Sequence, residues 1–141
     1  MEQIQFFQED VSFDLQYEEK VKQWIVQVIE DYSFSIEEIN YIFCSDEYLH
    51  KINVEYLDHD TYTDIITFDN SDQESTIASD IFISIDRVKD NAESFSGSVE
   101  DELHRVMIHG VLHLLGFKDK TEEEATEMRR LESLQLEKRS F

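Results

Sequence analysis

The chain has 141 residues, 40% of them hydrophobic, with ten Phe, six Tyr and one Trp, which is enough apolar material for one ordinary globular domain. There is no apolar run of roughly 18 residues that would span a membrane, the Met1-Glu2-Gln3 start does not read as a secretory signal, and one cysteine, Cys44, excludes an internal disulfide and fits a reducing cytoplasm. The formal charge of −21 repels nucleic acid at long range and argues against DNA binding, solubility being its simplest role and a face for a basic partner the other.

Proline is absent and glycine occurs three times, so turns fall to Asp, Asn and Ser. Ile4-Gln5-Phe6-Phe7 and Val11-Ser12-Phe13-Asp14-Leu15 read as short strands. Tyr17, Val21, Trp24, Ile25, Val28 and Ile29 recur at helical spacing and predict a first amphipathic helix. Ile39, Tyr41 and Phe43 alternate as a strand does, with Cys44 beside them as a small buried hydrophobe. Leu49, Ile52, Asn53 and Tyr56 fit a second helix after Ser45. Ile65-Ile66-Thr67-Phe68 predicts a buried strand, and the alternation of Ile81, Ile83 and Ile85 predicts another.

A short helix from about Arg87 to Phe95 leads through Ser96-Gly97-Ser98 into a long apolar helix. Thr121-Glu122-Glu123-Glu124 is a capping box that opens a last helix, with Ala125, Met128, Leu131 and Leu134 on its inner face. These elements predict an α/β domain (of α+β type) over residues 1–141, with a mixed sheet of about four strands and the long helix packed centrally.

The long helix carries the chemistry. His109 and His113 are four residues apart, so their Cβ atoms share one side of the helix at about 5–6 Å. Gly116 ends the helix, because glycine takes the left-handed conformation at little cost. The chain then turns back and presents Asp119. His109, His113 and Asp119 are therefore the predicted ligands of one metal ion, with an open position as in a catalytic site. Val106, Ile108, Val111, Leu112, Leu114 and Leu115 make this helix apolar almost all round, and a histidine pair in such a setting needs polar partners. Residues 105–141 hold seven Lys/Arg and seven Asp/Glu, so the predicted site lies on a locally neutral third of an acidic chain.

In zincin proteases a glutamate follows the first histidine and serves as general base. Gly110 stands there in this chain, which argues against peptide hydrolysis. No side chain is singled out as a catalytic base, and an activated water on the ion is the predicted nucleophile, a chemistry that suits phosphodiester cleavage. The carboxylate of Asp119 lowers the site's formal charge and widens the choice of metal, with zinc preferred. His104 lies about 140° around the helix from His109 and is a poor ligand. His50 and His59 read as surface histidines. Asp64 and Asp80 flank buried strands, where each either caps backbone amides or bonds a ligand histidine. Met128 reads as core.

The ordered segments Thr63-Asp64-Ile65-Ile66-Thr67-Phe68, Ser79-Asp80-Ile81-Phe82-Ile83 and His109-Gly110-Val111-Leu112-His113-Leu114-Leu115-Gly116-Phe117 resemble those of the YbeY family, bacterial metal-dependent endoribonucleases. Glu124-Ala125 and Met128 fit that family's last helix. The resemblance implies a single α/β domain, a zinc-type ion, and a cytoplasmic role in 16S ribosomal RNA 3′-end maturation and small-subunit quality control. Its implied partners are ribosomal RNA and small-subunit components. Three positions depart from the family: Asp119 stands where a third histidine is usual, Leu57 where an arginine precedes the Thr-Asp segment, and Tyr62 where a proline precedes Thr63. Lys118 and Lys120 are the candidates to replace the arginine. The leading expectation is a single-strand endoribonuclease. The alternatives are a non-catalytic ribosome-assembly factor with a structural metal, and a metal-dependent hydrolase of another bond.

Overall fold

A computed structural model describes residues 3–141. Its elements run β1 (Ile4–Gln8), α1 (Glu18–Asp31), β2 (Ser35–Cys44), α2 (Asp46–Leu57), β3 (Ile65–Asp69), β4 (Thr76–Ser84), α3 (Ile85–Ser94), α4 (Val99–Leu114) and α5 (Glu122–Glu137). The four strands form one mixed sheet in the order β1-β2-β4-β3. β1 and β4 run parallel to β2, and β3 runs antiparallel to β4. This is the single α/β domain expected from the periodicities.

The two faces of the sheet follow the period-two alternation of its strands. Ile39, Tyr41, Ile81 and Ile83 join Val21, Ile25, Val106 and Met107 in the main core, so α1 and α4 cover one face. Ile66, Phe68 and Phe82 point the other way and pack with Cys44, Leu49 and Ile52, under α2. The Cys44 thiol is buried and donates weakly to the Ile83 carbonyl at 3.5 Å, as a small hydrophobe would. The buried Tyr41 hydroxyl donates to the Met107 carbonyl at 3.2 Å and ties β2 to α4.

Gly110 is a packing residue. A Cβ there would lie 2.9 Å from Ile65 Cδ1 and 3.1 Å from Thr67 Cγ2, so glycine lets α4 settle against β3. A glutamate at this position would crowd Ile65 and Thr67, so packing accounts for glycine where a protease carries its base.

Four sequence expectations need correction. Val11–Leu15 forms no strand, because Asp10 adopts φ 35° and turns the chain away from the sheet. Val11, Phe13 and Leu15 instead pack as loop residues on the main core. Ile85 does not continue β4, since Ser84 caps α3 by accepting from the Arg87 amide, and Ile85 is the first helical residue. On α5, Ala125 and Leu134 are exposed, and the inner face is Met128, Leu131, Glu132 and Gln135. Tyr17 precedes α1 in a left-handed conformation and is itself exposed.

Candidate metal centre

α4 carries both histidines and sits against α1, α3, α5, β3 and β4, so the helix is held by five neighbouring elements. Its start is capped by Ser98, which accepts from the Asp101 amide. Its end is a Schellman motif: the Phe117 amide donates to the Leu112 carbonyl at 3.1 Å and the Gly116 amide to the His113 carbonyl at 3.0 Å. Gly116 has φ +108°, a conformation side-chain-bearing residues rarely adopt. Phe117 packs against the cluster containing Leu112, the apolar contact that accompanies this motif. The capping box at Thr121 and Glu124 then fixes the start of α5. Asp119 lies on the short segment pinned at both ends by these two devices.

That segment brings Asp119 to the histidines. Asp119 Oδ2 lies 3.4 Å from His109 Nε2, and Asp119 Oδ1 lies 3.4 Å from His113 Nε2. One ligand atom from each of the three residues falls within 4.8 Å of the others, a group able to hold a metal ion. The spacing fits the donor set, since four-coordinate zinc with bonds of about 2.1 Å has ligand-to-ligand edges of about 3.4 Å.

Sequence reasoning missed Glu132. Its Oε2 lies 2.6 Å from His109 Nδ1, and its Oε1 accepts from Arg105 Nη1 at 2.9 Å. A carboxylate only accepts, so His109 carries its proton on Nδ1 and leaves the Nε2 lone pair directed at the group. This carboxylate–histidine arrangement is the one that orients metal-binding imidazoles. Burial pushes the His109 pKa down, but the hydrogen bond and charge of Glu132, with Asp119 and Asp64, outweigh it and raise it overall.

Asp64 lines the same cleft, and burial raises its pKa against the opposing charge of His109. The bond to His109 Nδ1 is nevertheless made by Glu132. Asp80 does neither of the things expected of it: its Oδ1 accepts from Asn40 Nδ2 at 3.0 Å, on the sheet. His50 stacks on Tyr62 at 4.3 Å between ring centroids, and its Nε2 lies 2.8 Å from Asp60 Oδ1. His59 lies in the exposed loop after α2. Neither belongs to the metal-capable group. The cleft holding His109 and Asp119 has a volume of about 310 Å³. Lys118 and Lys120 do not line it. Lys118 faces a separate hollow with Glu123, Glu124 and Glu127, and Leu57 sits at the exposed end of α2.

His104 is buried away from the group, as its helical angle requires, between Trp24 and Phe141. Arg139 Nη1 donates to its Nδ1 at 2.6 Å. Burial, with the charge of Arg139 adding to it, pushes the His104 pKa from 6.5 down to about 4. Below pH 6.5 the unfolded chain therefore takes up a proton that the folded chain refuses until about pH 4. Stability from this residue is complete above that window and falls as pH drops through it, by up to about 3 kcal/mol. Urea unfolding of His104→Gln is expected to give a flatter stability–pH curve there than the wild type. Curves of equal slope would show that His104 takes up its proton in both states alike.

Comparison with known proteins agrees with this architecture. A family model described as Endoribonuclease YbeY matches residues 3–140. A Cytophaga hutchinsonii protein named Endoribonuclease YbeY is 53% identical over 140 residues, covering 99% of this chain and 98% of that one. A Christiangramia forsetii protein of the same name is 54% identical over 130 residues, covering 92% and 90%. The solution structure of TM1509 from Thermotoga maritima has a TM-score of 0.64 at 24% identity, covering 94% of this chain and 88% of that one, which is a likeness of fold. With the family matched along nearly its whole length, the chain belongs to the YbeY endoribonucleases.

Proposed function

We propose that this protein is a zinc-dependent, single-strand endoribonuclease of the cytoplasm that matures the 3′ end of 16S ribosomal RNA and serves small-subunit quality control. Residues 1–141 would form one metallohydrolase domain working on ribosomal RNA and small-subunit components. The observation that carries this reading is the group of His109, His113 and Asp119, backed by Glu132 and open to a cleft. Among the described residues no helix is long and apolar enough to cross a membrane.

His109 and His113 would hold the ion through Nε2 and Asp119 through a carboxylate oxygen, a set suited to zinc. When bound, such an ion polarises a phosphoryl oxygen and makes water more acidic. The chain's own residues do the rest. Glu132 keeps the His109 proton on Nδ1, and Arg105 neutralises Glu132 from its other oxygen. Gly110 places no general base beside the pair, which favours phosphodiesters over peptides.

A second reading, a non-catalytic assembly factor with a structural metal, is favoured by one observation: Leu57, uncharged where the family usually carries an arginine, sits at the exposed end of α2 and does not line the cleft. Purified protein should contain about one equivalent of metal and cleave single-stranded RNA, with the activity lost to chelator and restored by zinc. Metal-loaded protein that leaves RNA intact would overturn the enzyme in favour of the assembly factor.

A further inference from the structure

The metal cleft has a neighbour. It shares Glu102, Arg105 and Arg129 with a second cleft of about 300 Å³, and that one also exposes Phe95. Phe95 follows α3 directly and is 66% exposed, an aromatic ring outside the core. Arg129, on α5, holds its guanidinium carbon 5.7 Å from the centroid of that ring. The other arginines of this tract are already committed. Arg105 donates to Glu132 and Ser133, while Arg139 pairs with Asp101 and donates to His104. Among the described residues, Arg129 has no carboxylate within ion-pair distance. It also lines the cleft of the metal group, which Lys118 and Lys120 do not.

Single-stranded nucleic acid is held by a cation at the phosphate and an aromatic face at the base. We propose that this tract is a single-strand RNA subsite, in which Arg129 takes a backbone phosphate beside the metal centre and Phe95 stacks an adjoining base. The inference rests on the endoribonuclease reading above. Arg129 lines both clefts, so it stands where a strand would pass from the metal group to the ring. The tract joins Arg105, Arg129 and Arg139, from the charge-neutral third of the chain, to Phe95 and Glu102, which precede it. The Glu102 carboxylate faces the same tract, so few phosphates are neutralised and the salt dependence is shallow.

The test is fluorescence anisotropy of a short 2′-O-methyl single-stranded oligonucleotide with metal-loaded protein, alongside cleavage of the unmodified RNA. Arg129→Gln should raise Kd about tenfold. It should also flatten the slope of log affinity against log salt by about 0.7, the value of one phosphate on a single strand. Phe95→Ala should raise Kd about fivefold or more with the slope unchanged, and Phe95→Tyr should bind as the wild type does. Metal content should stay the same in all three. If the wild type binds and cleaves RNA while Arg129→Gln and Phe95→Ala do so equally well, the subsite is refuted and the endoribonuclease stands. Weaker binding by Arg129→Gln with an unaltered salt slope would refute the phosphate contact. If the wild type neither binds nor cleaves, both ideas fall together.

Discussion

His113→Ala protein is expected to fold normally, to lose its metal, and to lose chelator-sensitive RNA cleavage with it. His113 is half-buried near the end of α4 with its ring facing Asp119, so truncating it opens no cavity in the core. What it removes is one of two imidazole nitrogens facing Asp119, each 3.4 Å from a carboxylate oxygen. Outer-shell partners of metal ligands are worth about 10- to 100-fold in affinity, so loss of a ligand itself should exceed the upper end of that range. Asp119→Ala should behave in the same way. Asp119→His, which keeps a donor at that place, should retain the ion. Metal analysis after dialysis, circular dichroism and RNA cleavage on the same preparations check all three. A His113→Ala protein that keeps a full equivalent of metal would put the ion elsewhere in the molecule.

The parts of this site that could be read from the sequence are those fixed by local geometry. A four-residue histidine spacing is a statement about helix pitch, and Gly116 is a statement about φ, so neither needs the tertiary fold. The structure adds the Schellman bonds and the capping box that together deliver Asp119 to the pair. Where the expectations failed, a long-range partner decided. Val11–Leu15 alternates as a strand should, yet the turn at Asp10, whose carboxylate accepts from the Ser45 amide at 3.0 Å, leaves it off the sheet. Gly110 reads as an absent base from the sequence, and only the approach of Ile65 and Thr67 shows why glycine is there. On α5 the buried positions 128, 131, 132 and 135 keep the helical period, but two of them are Glu132 and Gln135. Apolarity alone selects Leu134, which is exposed, and passes over these two polar residues. The signal available was geometric: the stripe through Met128 and Leu131 passes through position 132 before it reaches 134.

Glu132 accordingly carries the second large expected effect. It is 4% exposed, and both of its oxygens are engaged, Oε1 by Arg105 and Oε2 by His109. A charge so placed is tolerable because a guanidinium and an imidazole N–H face it. Glu132→Gln keeps the shape but offers a single acceptor oxygen to two donors, so the His109 ring loses either its partner or its fixed tautomer. Zinc affinity is expected to fall about 10- to 100-fold while the sequence of folded elements stays intact. Glu132→Ala should go further and cost about 3 kcal/mol of stability, because Arg105 is left without its buried partner. The two variants separate positioning from scaffolding: isothermal titration with zinc reads the first, and urea unfolding of metal-free protein reads the second. Glu132→Gln that binds zinc as tightly as the wild type would show that His109 is oriented by the packing of α4 alone. A weaker-binding Glu132→Gln whose metal-free stability is nearly unchanged would instead locate the loss at the Nδ1 hydrogen bond, since that is the contact the substitution alters on the metal side of the helix.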